Sequence, residues 1–202
     1  MQIGPKYKIC KRLGASVFEK CQTQKFQLAE ARAPRRISRG RRGGSDFGAQ
    51  LLEKQKARFT YGLSENQFSR YVHEAMEGSG SASQVLLNRL ESRLDNVIYR
   101  AGFVKTRRAA RQLVGHGHVL VNGKRLNIPS YAAKEGDIIS IRPESRQSAL
   151  FVGRAEAAAE TTSPSWMSFE DNGFAVRIAS VPMVEETSAP FSAQVIIQFY
   201  SR

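Results

Sequence analysis

Cysteine and histidine are scarce in this chain, with two and three residues among 202. Cys10 and Cys21 cannot make the disulfide framework that holds small secreted domains together. They are read as two buried or half-exposed thiols in a reducing compartment. A tetrahedral zinc site needs four nitrogen or sulfur ligands. Two cysteines with no histidine near them do not supply one locally. His116 and His118 straddle Gly117 with no third ligand close in sequence, which favours a structural or phosphate-facing role, so neither a metal nor a cofactor is expected. Long apolar runs are missing as well. No stretch approaches the roughly 20 residues that cross a bilayer, so no membrane partner is expected. The start MQIGPKYKIC lacks the apolar core of a secretory leader. Catalytic signatures are also wanting. There is no Gly-x-Ser-x-Gly elbow and no His-Glu-x-x-His pair, and Gly78-Ser79-Gly80-Ser81 has no lysine to make it a phosphate loop. The expectation is a protein that is not an enzyme.

Negative charge is the other shortage. Thirty-one Lys and Arg face 18 Asp and Glu, for a net charge of +13. Such an excess calls for a polyanion, RNA or DNA before an acidic membrane surface. The excess is unevenly placed: residues 1–45 carry +10, 46–90 are neutral, 91–150 carry +6 and 151–202 carry −3. Two basic regions separated by a neutral one suit a binder with more than one nucleic-acid surface. The hydrophobic share of 41% is ordinary for a folded protein.

The stretch Leu90–Ile141 organises the chain. Leu90, Leu94, Val97 and Ile98 recur at helical spacing and predict one helix ending at Gly102. Thr106 is placed to cap a second helix, with Ala110, Leu113 and Val114 inward, Arg107, Arg108 and Arg111 outward, and Gly115 at its end. The period then becomes two. Val119–Val121, the turn Asn122-Gly123 and Lys124–Ile128 read as a hairpin, and Ile138–Ile141 as a further strand. Arg93, Arg107, Arg108 and Arg111 are expected on one exposed face, with His116, His118 and Lys124 beside them. Asp95 and Glu91 are read as holding this arginine fan in place.

Elsewhere the chain reads as an extended basic arm over 1–45 and a helical core over 46–90, completed by 151–202. The arm offers Lys6, Lys8, Lys11 and Arg12, then the run RAPRRISRGRRGG with Arg35, Arg36, Arg39, Arg41 and Arg42. This run reads as either a solvated linker or a segment that orders on RNA. In the helical core, Lys54 and Arg58 share a stripe with Phe47 and Leu51. Ser64-x-x-Gln67 is a capping box opening a helix with Phe68, Tyr71, Val72 and Ala75 inward. The run AEAAAE at 155–160 suggests a short exposed helix, and Phe174–Ile178 alternates like a strand. The fold class expected is α+β: a helical domain, an inserted module of two helices and a small antiparallel sheet at 91–150, and the basic arm.

Several of these runs carry a resemblance. Leu90-Glu91-x-Arg93-Leu94-x-x-x-Ile98-Tyr99-Arg100, then Thr106-x-x-x-Ala110-Arg111-x-Leu113-Val114 and Val121-Asn122-Gly123-Lys124, resemble the RNA-binding module of the bacterial ribosomal protein S-four family. Gly4-Pro5-Lys6 with Arg12-x-Gly14, the run from Ser45 through Lys56 to Tyr61-Gly62, Pro164-Ser165-Trp166 and the closing Tyr-Ser-basic resemble the rest of that family. The resemblance implies a structural constituent of the small ribosomal subunit that binds 16S-type rRNA early, at a multi-helix junction, and nucleates assembly. It implies a contribution to the mRNA entry channel and to translational accuracy, with Arg39, Arg41 and Arg42 near the channel-lining position. It also implies contact with the neighbouring ribosomal protein S-five, no homo-oligomer, and a cytoplasmic or organellar ribosome as the location. RNA-binding residues would be those of the fan and arm together with Lys54 and Arg58. Many family members hold a structural zinc with four cysteines near the start, and this chain departs from that pattern. Two rivals remain: a free RNA-binding chaperone or stress factor using the same module, and a DNA-binding helix-turn-helix regulator, which would need a third helix before the hairpin.

Overall fold

A computed structural model describes residues 3–32, 45–151, 164–182 and 189–201. Two compact units divide the chain: residues 1–87 with 185–202, and residues 88–184.

The first unit is helical. Pro5 opens α1 (Lys6–Leu13), and Gly14 at φ 63° ends it, where an L side chain would be strained. A 3₁₀ turn at Glu19–Gln22 leads to α2 (Gln24–Arg32). The arm expected over 1–45 is therefore not extended up to residue 32. Ile9, Leu13, Val17, Phe18 and Phe26 give it enough apolar surface for a small core, and Phe59 packs against this. Cys10 and Cys21 sit in that core and are joined as a disulfide, which corrects the reading of two separate thiols. The left-handed turn at Gly14 and the 3₁₀ turn carrying Cys21 bring the sulfurs together, which their spacing in sequence did not reveal.

The long helices begin where serine hydroxyls take up otherwise unpartnered amides. Ser45 Oγ accepts from Gly48 N at the start of α3 (Asp46–Thr60), and Ser64 Oγ accepts from Gln67 N at the start of α4 (Glu65–Glu77). Phe68, Tyr71, Val72 and Ala75 are all buried, as the spacing predicts. After α5 (Ala82–Glu91), the last helix in the chain, α8 (Ala193–Tyr200), returns to this unit, with Ser192 N donating to Glu53 Oε2 at 2.9 Å.

The end of α8 closes on an ionic cluster. Tyr200 donates its hydroxyl to Glu65 Oε1 at 3.1 Å, Lys54 pairs with the same carboxylate, and Arg58 Nη1 lies 3.3 Å from its other oxygen. Burial pushes the Glu65 carboxyl upward, but the Lys54 hydrogen bond and charge, the Tyr200 hydroxyl and Arg58 outweigh it, and the pKa ends below the usual 4.5. A group depressed in the folded state contributes stability above its unfolded pKa, lost as pH falls through the folded value. Urea midpoints measured downward from pH 6 should therefore fall less steeply for Glu65→Gln than for the natural protein. Equal slopes would remove Glu65 from the acid response. Tyr200 moves the other way: burial, then the Glu65 charge, push its pKa up, so its share of stability persists below about pH 10 and is lost above.

Among its described residues, the second unit sets two short helices on a sheet. Helices α6 (Leu94–Arg100) and α7 (Arg107–Gly115) precede β1 (Val119–Val121), β2 (Lys124–Arg125), β3 (Ile138–Ile141), β4 (Met167–Glu170) and β5 (Ala175–Ile178). The strands are antiparallel in the order β2-β1-β3-β5-β4, with Val121 opposite Lys124, Val119 opposite Ile141 and Ile139 opposite Val176. Leu94, Val97, Ile98, Ala110, Leu113 and Val114 bury against Val119, Ile139, Ile141, Trp166 and Ile178. Residues 164–182 thus supply two strands and the buried Trp166 to this sheet, whereas the whole of 151–202 was expected with the helical unit.

Two local expectations are met and two are altered. Thr106 Oγ1 accepts from Ala109 N, and Asn122 and Gly123 turn at φ 50° and 76°. The partner strand shortens to Lys124–Arg125. The helix expected through Leu90–Arg100 breaks at Ser92-Arg93. Arg93 is extended and bridges Ala132, while Ala133 N donates to Ser92 O and Leu94 N to Tyr131 O. Buried backbone groups must find partners, and here the 129–133 segment offers them, ending one helix and starting another.

Candidate nucleic-acid interface

The helix break decides the geometry of the arginines. Arg93, turned inward as the residue before α6, is 1% exposed, and its guanidinium forks onto Asp95, Nε to Oδ1 at 3.0 Å and Nη2 to Oδ2 at 2.6 Å. It is not part of an exposed fan. Arg111 approaches the same carboxylate from outside, its Nε 3.6 Å from Oδ2, with about a third of its side chain exposed.

A second buried acid works in parallel. Glu91 is fully buried and accepts a fork from Arg100, 2.9 Å at each oxygen. Asn96 Nδ2 donates to Glu91 Oε2 at 2.8 Å, and its Oδ1 accepts from Arg107 Nε, also at 2.8 Å. The Arg107 guanidinium lies 4.3 Å from the Tyr99 ring centre, a cation–π stack. Arg100, Arg107 and Arg111 are thus fixed at the surface by buried partners, and Arg108 stands exposed beside them. Bidentate, preorganised guanidinium groups match the geometry of phosphate.

Local helix energetics do not account for this charge. Cations at a helix N-terminus oppose the macrodipole, yet α7 opens on Arg107 and Arg108, with no acid in its first turn. At its other end, His116 is exposed and His118 Nδ1 lies 2.9 Å from Ser145 Oγ, the two rings being 6.1 Å apart. Lys124 is exposed on the hairpin. The hairpin is held by Asp137, which accepts from Asn122 Nδ2, Lys134 N and the Tyr131 hydroxyl. Asn122 Oδ1 accepts in turn from Ile138 N at 2.9 Å.

Comparison with known families matches part of each unit. The S4 domain model matches residues 92–139, and the ribosomal protein S4/S9 N-terminal domain model matches residues 2–91. The small ribosomal subunit protein uS4 of Pelotomaculum thermopropionicum is 42% identical over 199 residues, 96% of each chain. That of Persephonella marina is 42% identical over 208 residues, 98% of each. That of Roseiflexus castenholzii is 43% identical over 202 residues, covering 99% of this chain and 98% of its own. The chain belongs to the uS4 family.

Other basic residues expected to bind RNA in this uS4-family protein are placed unevenly. On α1, Lys8, Lys11 and Arg12 are exposed at helical spacing, while Lys6 is half-buried 5.5 Å from the Phe18 ring centre. Lys54 is 7% exposed and committed to Glu65, with the Phe199 ring centre 5.0 Å away. Arg58, a fifth exposed at its side chain, also turns to Glu65. Neither is the open cation their stripe predicts, because α8 packs its aromatic end over that face of α3. Arg35, Arg36, Arg39, Arg41 and Arg42 lie outside the described residues, as does the 155–160 run.

Sequence reasoning overlooked Arg125, exposed on β2, and Lys105, exposed ahead of α7. It also missed that Arg100 is gripped by Glu91. Their only signal was position, Arg125 next to Lys124 in the hairpin and Lys105 next to the Thr106 cap. A groove of about 490 Å³ between α3 and α8, lined by Leu52, Lys56, Phe191 and Val195 among others, is apolar in character and far from suited to a polyanion.

Proposed function

We propose that this protein is a structural constituent of the small ribosomal subunit and a direct binder of its rRNA, acting by binding and without catalysis. The observation that carries the reading is the arginine array on α6 and α7, held by buried Glu91, Asp95 and Asn96 in a chain whose relatives over nearly its whole length are uS4 proteins. Folded RNA is recognised largely by shape and backbone. Arg100, Arg107, Arg108 and Arg111 would bear on phosphates of the rRNA, with His116, His118 and Lys124 extending the surface toward the hairpin and Lys8, Lys11 and Arg12 forming a second one. Early binding of this kind nucleates the local rRNA fold and places the protein on the ribosome in the cytoplasm.

The finer roles rest on the resemblance: Arg39, Arg41 and Arg42 toward mRNA in the entry channel, with an effect on accuracy, and a terminal region against ribosomal protein S-five. Crosslinks from those three arginines to mRNA would support the first role, and their absence in translating ribosomes would defeat it. For the central reading, the endogenous protein should co-migrate with small subunits on a sucrose gradient and withstand a high-salt wash. Migration at the top of the gradient would instead make it a free RNA-binding factor.

A further inference from the structure

Arg125 follows the hairpin turn on β2, the edge strand of the sheet, and is exposed. Its guanidinium nevertheless has a defined place. It folds back over the turn between α7 and β1, where Nη2 donates to His116 O at 3.2 Å. Beneath it lies Gly117. A Cβ on that residue would collide with Arg125 Nε and Nη2 and stand 2.7 Å from Cζ.

Gly117 is there for a backbone reason as well. It turns at φ 74°, its N–H donates to Val114 O, and His118 N donates to Leu113 O, the pattern of a glycine-capped helix end. Glycine ends α7 at this position, two residues after Gly115. The carbonyl end of a helix carries partial negative charge and attracts a cation, so the cap provides both a bare floor and an attraction for the guanidinium. The bond to His116 O engages one of the five N–H groups of arginine. A long side chain held this way loses less rotamer freedom on binding than a free one. Exposed Lys124 and His116 adjoin it.

We propose that Arg125 is a phosphate-binding residue of the RNA surface and that Gly117 is the positioning residue that holds its guanidinium in place. The ligand class is the phosphodiester backbone of folded RNA, and the proposal rests on the rRNA-binding reading above.

The test uses the full chain and a small-subunit rRNA transcript, with binding titrated at several salt concentrations. Arg125→Ala should weaken binding about five- to tenfold and lower the slope of log K against log salt by about 0.7–0.9, one phosphate's share. Gly117→Ala should weaken binding while keeping the slope, because the charge remains but its placement is lost. The double variant should match Arg125→Ala alone, since Gly117 then has nothing left to position. Arg125→Ala with unchanged affinity and slope would overturn the assignment of Arg125. Gly117→Ala binding like the natural protein, or a double variant clearly weaker than Arg125→Ala, would overturn the positioning role, the latter by showing that Gly117 acts through the fold. Should the natural protein itself not bind the transcript, the rRNA-binding reading falls and takes this proposal with it.

Discussion

Asp95→Ala is expected to lower the unfolding free energy by about 3–5 kcal/mol, the usual cost of stranding a buried charge. The Arg93 guanidinium is 1% exposed and forks onto both Asp95 oxygens, so removing the carboxylate takes this bidentate partner from a cation held in the core. Arg111 loses its contact with the same carboxylate. Urea unfolding measures the loss. The mechanism is separable from mere loss of packing, because replacing both partners by apolar residues leaves no buried charge. Arg93→Met with Asp95→Leu should therefore be much less destabilising than Asp95→Ala alone. A double variant as unstable as the single one would mean that the pair's worth lies in shape or in backbone support at the helix break. A loss below about 1 kcal/mol for Asp95→Ala would mean that the guanidinium escapes to water.

The second large effect is on RNA. Changing Arg107 and Arg108 together to alanine should reduce the slope of log K against log salt by about 1.4–1.8, two phosphates' share, and weaken rRNA binding roughly ten- to hundredfold at moderate salt. The two residues contribute differently. Arg108 is exposed and offers charge, whereas Arg107 is fixed by Asn96 and by the Tyr99 ring. Arg107→Lys should accordingly keep the slope and still lose affinity, since an ammonium cannot reproduce both the stack and the fork. Arg70→Ala, removing an arginine paired with Glu74 on α4, serves as a control and should leave binding unchanged. An unchanged slope in the Arg107, Arg108 double variant would take both residues out of the interface.

Legibility differed from residue to residue for physical reasons. The caps at Ser64 and Thr106, the inward face of α4 and the Asn122-Gly123 turn depend on neighbours within four positions, and local pattern is enough to place them. Arg93 was misplaced because helical spacing continues through it, while the bridge to Ala132 that breaks the helix joins residues far apart in sequence. Lys54 and Arg58 were misplaced for a similar reason, since the groups that take them in, Glu65 and the aromatic end of α8, lie outside their own helix. Within residues 164–182 only Phe174–Ile178 read as a strand, with no indicated partner, and pairing with β3 on one side and β4 on the other assigns the segment to the sheet.

What the sequence determined by itself was the presence of a basic, α+β, RNA-type module and the family to which the chain belongs, because charge excess, capping signals and ordered motifs are properties of the chain alone. Only the tertiary structure decided which cations face outward. Burial assigns Arg93 to the core, and folding joins Cys10 to Cys21, sets the Glu91 carboxylate on Arg100, and lays Arg125 over Gly117. A cation's availability is set by the nearest carboxylate or carbonyl in space, and folding brings those partners from positions that sequence spacing does not reveal.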